Sequence, residues 1–570
     1  MKKLGEYIKP YTLRISLGMF IKFAGSIMDL FIPWILAHMI DYVVPLSSMA
    51  SIVRWGFLML LCAVVAVLGN VIANRMASTV ARDITETVRH DLFSKISYLS
   101  SAQIDKLTIP SLVSRLTSDT YNVHRMITMM QRLGIRAPIL LLGGILITLT
   151  MDPFLTLVLI VVLPFITMTI FSISRKGIPL YTKVQESVDS MVLAVRENTA
   201  GIRIIKALSK VDYEKGRFRD VNGTVQENEK KAGITMALSN PLMTFLLNIG
   251  LTLVIVAGAY RVNAGVTPPG VILAFLTYFT IILNAMMAIT RMFVMLSKGT
   301  ASADRISEVL EYPADLAVIE SAKTENGYHI VFDNVSFSYN QGKAGVNNIS
   351  FNLKHGETLG IIGATGCGKS TIVQLLMRLY DVRVGKIVIG GRDIRSIPPE
   401  ELHTMFGIAF QNDVLFADTI KENIDFGRHL ERDQIRDAAA FAQAEEFINS
   451  IENSYEHRLS SRGTNLSGGQ KQRLLIARAL AADPEILILD DSSSALDYKT
   501  DANLRKVLNN KFSETTTVIV AQRISSIMHA DHIMVLDEGS ILGYGSHDEL
   551  INSCEIYREI SQSQMGSKPA

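Results

Sequence analysis

Six long apolar stretches in the first half of this chain restrict its fold more than any other feature. Each is long enough for a helix that crosses the hydrocarbon core of a bilayer, which needs roughly 20 residues. After about residue 295 the apolar runs shorten to lengths typical of strands in a soluble α/β domain. The chain therefore predicts a helical membrane domain followed by a soluble one. The stretches lie near residues 15–40, 55–74, 133–150, 154–173, 241–261 and 270–292.

The connections between these stretches differ in length and charge. Residues 151–153 form a short connection, whereas residues 75–132 and 174–240 are long, amphipathic and mixed in charge. The long connections predict helices that continue beyond the bilayer. They also hold most of the Lys and Arg residues, and the opposite loops hold only Arg54 and Arg261. Because positively charged loops stay in the cytoplasm, we expect a multi-pass protein of the cell membrane with both termini and the soluble domain in the cytoplasm.

The domain boundary is expected just after the last apolar stretch. Residues 298–311 resemble a helix that Pro313 stops, and a polar segment follows. We therefore expect a six-helix, all-α transmembrane domain over residues 1–310, a linker over residues 311–327 and an α/β nucleotide-binding domain over residues 328–570.

Charge and cysteine content argue against other classes of protein. The net charge of +2 over 570 residues shows no footprint for nucleic acid. The three cysteines, Cys62, Cys367 and Cys554, have no spacing that suggests a disulfide framework or a metal site. The N-terminal residues end in no small-residue cleavage site, so we expect no removable signal.

A glycine-rich segment in the soluble domain carries the strongest chemical signal. It fits the phosphate-loop pattern, follows the apolar run 357–362 and precedes an apolar helix, which is the context that supports the pattern. Its glycines let backbone N–H groups surround phosphate oxygens, Lys369 neutralises the β- and γ-phosphates, and Ser370 ligates Mg²⁺. The alternative is an incidental glycine-rich turn. The residues expected to bind nucleotide here are Gly363, Ala364, Thr365, Gly366, Cys367, Gly368, Lys369, Ser370 and Thr371.

A second chemical signal is a carboxylate at the end of a buried strand. Residues 485–489 form an apolar run that ends in Asp490. Ligands bind at the carboxyl ends of parallel strands, so we expect Asp490 to hold Mg²⁺ through water. Taken alone such an aspartate often caps a helix, but the phosphate loop favours the nucleotide role.

Several residues that follow the phosphate loop in the sequence resemble those of one protein family. Leu466, Ser467, Gly468, Gly469 and Gln470 match the signature of the ATP-binding-cassette (ABC) transporters. The resemblance implies that this signature closes over the γ-phosphate of ATP bound by the opposite subunit, with a helix N-terminus facing negative charge, so that two cassettes are required. It further implies that Tyr339 stacks on adenine, that Gln411 links Mg²⁺ to the membrane domain, and that Asp497 lies in a segment crossing the dimer interface.

The N-terminal half resembles the exporter branch of this family, in which six spans precede one cassette in a half-transporter. Residues 114–119 and 197–206 look like the segments around the coupling helices that rest on the cassettes. The alternative is that these two segments are ordinary solvated helix. The resemblance implies that the partner is a second half-transporter.

Three positions depart from the family pattern. Asp491 stands where an active cassette has glutamate, Gln522 where it has the switch histidine, and Ser461 where many exporters have glutamate. A shorter carboxylate is poorly placed as general base, and glutamine supplies no charge to the transition state. We expect a site that holds ATP but cleaves it slowly, in a heterodimer whose second site is completed by this chain's signature. A homodimer with two slow sites is the alternative.

The transported compound leaves weaker signals. Lys22 and Asp29 lie on about the same face of the first span, where they mark either a substrate pathway or a snorkelling lysine. Abundant methionine suits varied hydrophobic cargo and core packing equally. The resemblance favours export of amphipathic compounds, drugs or lipids. The alternatives are an importer of siderophore-like cargo and an ATP-gated sensor or channel.

Overall fold

The computed structural model of the chain consists of two compact units. It describes residues 2–313, 316–321, 327–339, 345–411, 413–492 and 494–565. The first, which we call the helical unit, comprises residues 1–98 and 110–312, and the second, the α/β unit, comprises residues 99–109 and 313–570.

Within the described residues, six helical segments are long and apolar enough to cross a membrane. Each apolar stretch of the sequence falls inside one of them, so the predicted fold class is confirmed. The segments extend well past the predicted spans, as the long amphipathic connections predict. They are Lys3–Val43, Met49–Ser97, Ile109–Met151, Pro153–Ala200, Val211–Asn263 and Pro269–Leu310.

Several of these segments are divided by short turns. A 3₁₀ turn at Lys9–Tyr11 and π-helical turns at Met39–Val43 and Arg115–Asp119 interrupt the regular helices. The helices of this half of the chain are α1 Lys2–Ile8, α2 Thr12–His38, α3 Met49–Ser97, α4 Ser101–Leu107, α5 Ile109–Ser114, α6 Thr120–Leu133, α7 Arg136–Met151, α8 Pro153–Ala200, α9 Ile202–Ala207, α10 Val211–Ala237, α11 Ser239–Asn263 and α12 Pro269–Leu310.

The turn between α7 and α8 shows how local sequence ends one membrane helix and starts the next. Only Asp152 separates them, and its Oδ1 accepts the backbone N–H groups of Phe154 and Leu155 at 2.9 and 3.2 Å. Pro153 takes the first helical position, where its missing N–H costs nothing. The second oxygen of Asp152 accepts a hydrogen bond from Nε of Arg261 at 2.8 Å. This buried carboxylate therefore caps α8 and ties the turn to α11.

Over the residues that the structure describes, the α/β unit contains two sheets. One is antiparallel, in the order β2-β1-β4-β5, and the other has the order β10-β9-β3-β8-β7-β6, with β9, β3, β8, β7 and β6 parallel. The strands are β1 Ile330–Phe337, β2 Val346–Leu353, β3 Thr358–Gly363, β4 Val384–Ile389, β5 Arg392–Asp393, β6 Phe406–Ala409, β7 Ile486–Asp490, β8 Thr516–Val520, β9 His532–Asp537 and β10 Ser540–Gly545.

The interior strand β7, between β8 and β6, is apolar on both faces because both faces are covered. Ile486 and Ile488 pack with β1 and the first helix after β3, whereas Leu487 and Leu489 pack with the helices on the opposite face. Continuous apolar strands are typical of parallel sheets covered in this way. The helices of the unit are α13 Lys369–Leu376, α14 Pro399–Thr404, α15 Ile420–Asp425, α16 Arg432–Phe441, α17 Glu445–Ser450, α18 Gly468–Leu480, α19 Tyr498–Lys511, α20 His547–Ser553 and α21 Glu555–Met565.

Helix α4 packs with the α/β unit although it lies inside the predicted transmembrane range 1–310. Asp105 on α4 accepts a hydrogen bond from the hydroxyl of Tyr380 at 2.6 Å, and Nε2 of Gln103 donates to the carbonyl of Pro313 at 2.6 Å. The domain limits at 310 and 328 remain predictions. Residues 314–315 and 322–326 of the predicted linker lie outside the described residues.

Candidate nucleotide site

A cavity of about 350 Å³ lies at the carboxyl ends of β3, β7 and β8. It brings together most of the residues that the sequence assigned to nucleotide and magnesium. Glycines and small side chains form one wall, and carboxylates and amides form the other. The lining residues are Tyr339, Gly345, Thr365, Gly366, Gly368, Lys369, Ser370, Thr371, Gln411, Asp490, Asp491, Val520 and Gln522.

The phosphate loop connects β3 to α13 and depends on two glycines. Gly366 and Gly368 have φ angles of +84° and +105°, which side chains rarely adopt. At Gly368 there is also no room, because a Cβ would lie 2.6 Å from the carbonyl oxygen of Gly345. The loop can therefore take this shape only with glycine at position 368.

Three residues of the predicted set support the loop rather than line the cavity. Gly363 ends β3, Ala364 follows it, and Cys367 is buried beneath the loop with 4 % of its surface exposed. A Cβ at Gly363 would lie 2.7 Å from Sγ of Cys367, so the thiol fills space under the strand end. The cysteine therefore has a packing role in this structure.

The cationic side of the site is the start of α13. Nζ of Lys369 donates hydrogen bonds to the carbonyl oxygens of Gly363 and Ala364 at 2.8 and 2.7 Å. These bonds hold the ammonium group against the loop. The lysine charge and the free N–H groups at the helix N-terminus together make this wall suited to an anion.

The opposite wall presents oxygen ligands. Asp490 is buried at the end of β7 and accepts a hydrogen bond from the hydroxyl of Ser370. Burial raises the pKa of Asp490, and the Ser370 hydrogen bond opposes that rise. The cavity thus presents the hydroxyl of Ser370, the carboxylate of Asp490 and the amide oxygen of Gln411. Such oxygen ligands fit Mg²⁺, which binds few protein groups and takes its other ligands from phosphate and water. No group of three or more His, Cys, Asp or Glu residues suited to a metal occurs among the described residues.

Asp491 lies between two glutamines. Its Oδ2 accepts hydrogen bonds from Nε2 of Gln522 at 2.8 Å and from Nε2 of Gln411 at 3.1 Å. Burial raises the pKa of Asp491, and the two amide hydrogen bonds oppose the rise. The residue has a left-handed φ of +51°, and its N–H donates to the carbonyl of Val520 at 2.9 Å. One carboxylate oxygen is thus already engaged by two donors.

Tyr339 lies beyond the end of β1 and is half-exposed at the cavity wall. Its hydroxyl oxygen is 2.5 Å from Oε1 of Gln374 and 3.1 Å from Oγ1 of Thr371. Its ring meets that of Tyr380 edge-on at 5.2 Å. The hydroxyl contacts and the ring contact together fix the Tyr339 ring at the rim of the cavity.

The predicted signature and Asp497 do not line this cavity. Ser467 caps α18: its Oγ accepts from the N–H of Gln470, and Oε1 of Gln470 accepts from the N–H of Ser467. Asp497 caps α19 by accepting from the N–H of Thr500 at 2.9 Å. The helix N-terminus at Ser467 is exposed on the surface of the unit.

Two cavity residues were missed by sequence reasoning. Val520 ends β8, and the rule that ligands gather at strand ends could have found it. Gly345 has no local signal, since only the fold brings it against Gly368.

The fold and the site together define a membrane protein that carries a P-loop ATP-binding unit. Residues 15–286 match the family model for the ABC transporter transmembrane region, and residues 346–494 match the model for the ABC transporter. The chain belongs to the ABC transporter family.

Relatives of the whole chain agree with this assignment. The uncharacterized ABC transporter ATP-binding protein YfiB of Bacillus subtilis is 34 % identical over 99 % of both chains. The putative ABC transporter ATP-binding protein exp8 of Streptococcus pneumoniae is 31 % identical, over 100 % of this chain and 97 % of its own. The structure of a bacterial Atm1-family ABC exporter with ATP bound superimposes with a TM-score of 0.81 at 23 % identity, covering 99 % of both chains. This last similarity shows that the fold is shared.

The arrangement is that of a half-transporter, with one membrane domain and one ATP-binding domain. Half-transporters of this family act as dimers in a membrane, and the ABC ATPase domain indicates a transporter that binds and hydrolyses ATP.

Proposed function

We propose that this chain is one half of an ATP-driven exporter of amphipathic compounds, drugs or lipids, and that its own site retains ATP and cleaves it slowly. The observation that carries the slow-site proposal is the cluster around Asp491, whose Oδ2 accepts from both Gln411 and Gln522. A general base must reach the attacking water and take its proton. Because Oδ2 is held by two amide donors, only Oδ1 of this shorter carboxylate is left to reach the water.

The other residues of the cavity suit the holding of nucleotide. Lys369 and the loop amides would hold the phosphates, Ser370, Asp490 and Gln411 would hold Mg²⁺, and Tyr339 would stack on adenine. Bound Mg²⁺ would neutralise phosphate charge. Gln522 can donate a hydrogen bond to a phosphate but adds no positive charge, which is often the largest part of transition-state stabilisation.

The intact signature supports a heterodimer. Ser467 to Gln470 form a capped, exposed helix N-terminus on a surface outside this chain's own cavity. Such an N-terminus suits the γ-phosphate of ATP on a second half-transporter. We propose that the partner has its own glutamate and histidine, so that the faster site combines its phosphate loop with this signature.

The proposal places the protein in the cell membrane as a multi-pass protein with both termini and the α/β unit in the cytoplasm. The distribution of Lys and Arg supports this orientation, since the short loops hold only Arg54 and Arg261. We also propose the predicted limits, with the transmembrane domain over residues 1–310 and the nucleotide-binding domain over residues 328–570.

The test is to restore the family residues at the site. We expect Asp491→Glu combined with Gln522→His to raise ATP turnover of the purified chain by roughly 10²-fold, because general-base catalysis contributes about that much. Asp548→Glu is the matched control, since it adds the same methylene at an exposed position outside the cavity. Turnover that is unchanged in the double variant would contradict the slow-site proposal. Uptake of a fluorescent amphipath into inside-out vesicles, measured in the same preparations, tests the direction of transport.

A further inference from the structure

The helical unit contains a cavity between α3 and α6 that is rich in positive charge. Its volume is about 430 Å³, and its lining consists of Val71, Asn74, Arg75, Ser78, Thr79 and Arg132. Two of these residues are arginines, three more carry hydrogen-bonding groups, and none is acidic. A lining of this kind favours an anion.

Within the described residues, the cations around this cavity form no direct ion pair with a carboxylate. Nζ of Lys22, which is 2 % exposed, donates to Oδ1 of Asn74 at 3.0 Å, so the Asn74 amide group retains N–H donors. Arg132 donates to Oγ of Ser78 and to the carbonyl of Asn74, and its Nε is buried without a hydrogen-bond partner. Lys22, Arg75 and Arg132 therefore each lack a carboxylate ion-pair partner in the described part of the chain.

Asp29 is a carboxylate close enough to attract Lys22, but other groups already bind it. Oδ2 of Asp29 is 3.1 Å from Arg136 and accepts a hydrogen bond from Asn70 at 3.3 Å. Lys22 and Nε of Arg132 are buried, and positive charge buried without a direct counter-charge is costly at a membrane. Arg75 is exposed at the same cavity and adds a charge that an entering anion can reach. A bound anion would remove that cost.

The position of the cavity along the helices indicates which anion it meets. Arg75 is the first basic residue after the apolar stretch 55–74, and Arg132 directly precedes the stretch 133–150. Both arginines therefore lie where the apolar zone ends, on the side of the long helical extensions. Basic pockets between membrane helices at this level bind phosphate-bearing lipid head groups, and the guanidinium group matches phosphate geometry well.

We propose that the cavity between α3 and α6 binds a phosphate-bearing anion, with Arg75 and Arg132 as its charged ligands and Asn74 and Ser78 as neutral donors. The phosphate belongs to an anionic lipid head group or to a small soluble anion, and these two sources share the same recognition chemistry. The site is separate from the nucleotide cavity and does not depend on whether ATP cleavage there is slow.

The test measures lipid binding to the full-length protein in detergent by native mass spectrometry. Phosphatidylglycerol should bind in preference to phosphatidylcholine, and Arg75→Gln should weaken that binding by about fivefold, the value expected for one cation near an anionic head group. The double variant Arg75→Gln/Arg132→Gln should weaken it by about 25-fold. Arg82→Gln is the matched control: it is on α3 two turns further along, but Arg82 already pairs with Asp83 at 2.8 Å, so binding should not change.

Inorganic phosphate separates the two sources. Competition by millimolar phosphate with phosphatidylglycerol, lost in Arg75→Gln, would show that a soluble anion reaches the site, whereas no competition would favour the lipid. Because Arg132 also bonds to Ser78 and Asn74, its loss can disturb the helices, so Arg75→Gln alone must show the effect. Equal lipid binding by the wild type and Arg75→Gln overturns the proposal. So does a change of oligomeric state with unchanged lipid binding, which would assign the cavity to a contact with the second subunit.

Discussion

At the scale of single residues, the nucleotide site depends on backbone shape as much as on charged side chains. Lys369 and Asp490 supply charge, but the loop that positions them passes through two left-handed glycines. Gly366 lies in open space, whereas Gly368 is packed against the carbonyl of Gly345. A side chain at position 366 would therefore suffer only backbone strain, whereas one at position 368 would suffer both strain and steric overlap.

Substitution of these glycines by alanine should have unequal effects. Gly368→Ala combines strain of about 1–3 kcal/mol with overlap against a backbone oxygen that cannot move aside, so ATP affinity should fall by far more than tenfold. Gly366→Ala meets nothing within 4 Å, and only the strain remains. Titration of a fluorescent ATP analogue measures both. Equal losses in the two variants would show that packing against Gly345 is unimportant.

At the scale of elements, the local sequence pattern was sufficient to predict individual strands and turns. The apolar run before Asp490 predicted β7, and the short connection 151–153 predicted the turn that Asp152 makes. Contacts between segments that are far apart in the sequence could not be predicted from local pattern. The amphipathic pattern of residues 75–132 indicates solvated helix, but nothing in it indicates that α4 packs with the α/β unit. Gly345 reaches the phosphate loop only through the pairing of β1 with β2.

The contact of α4 with the α/β unit should weaken when one hydroxyl is removed. Burial and the nearby charge of Asp105 raise the pKa of Tyr380, so its hydroxyl stays protonated and donates. Tyr380→Phe keeps the ring and loses this bond, which we expect to be worth about 1 kcal/mol at an exposed carboxylate. Amide exchange over Ser101–Leu107 should become roughly fivefold faster. Tyr544→Phe, which loses a hydroxyl bonded to the carbonyl of Asn352, should leave that exchange unchanged.

The last helix of the α/β unit holds the segment that carries Gln522. On α21, Nε2 of Gln564 donates to the carbonyl of Gln522, and its Oε1 accepts from the N–H of Ile524, both at 2.8 Å. Nothing local in the sequence indicates this contact, because the residues are 42 and 40 positions apart.

Gln564→Ala should therefore loosen the segment after β8. The loss of two hydrogen bonds at about 1 kcal/mol each should speed amide exchange at Ile524 by roughly 10- to 30-fold, and ATP should dissociate faster because Gln522 is less well placed. Gln562→Ala, an exposed glutamine on the same helix, is the control. Unchanged exchange at Ile524 would show that α21 does not position the segment.

At the scale of the whole molecule, this chain contributes to two ATP sites in the proposed pair. Its phosphate loop forms one site, and its signature at Ser467 to Gln470, held on a separate surface of the α/β unit, completes the other. Damage to the phosphate loop and damage to the signature should therefore impair different ATP sites. The two functions can be separated by substitutions within a single chain.

In a pair with a second half-transporter, Ser467→Arg in this chain should lower total ATP turnover by roughly 10²-fold, since a lost phosphate donor costs about that much. ATP retained on this chain's own loop should be unaffected. Lys369→Ala should abolish the retained ATP, measured by filter binding of labelled nucleotide, and lower turnover less. In a homodimer every site contains both the phosphate loop and the signature of this chain, so either substitution alone would affect every site, and Ser467→Arg and Lys369→Ala would reduce turnover alike. That result would contradict the division of labour between one slow and one fast site.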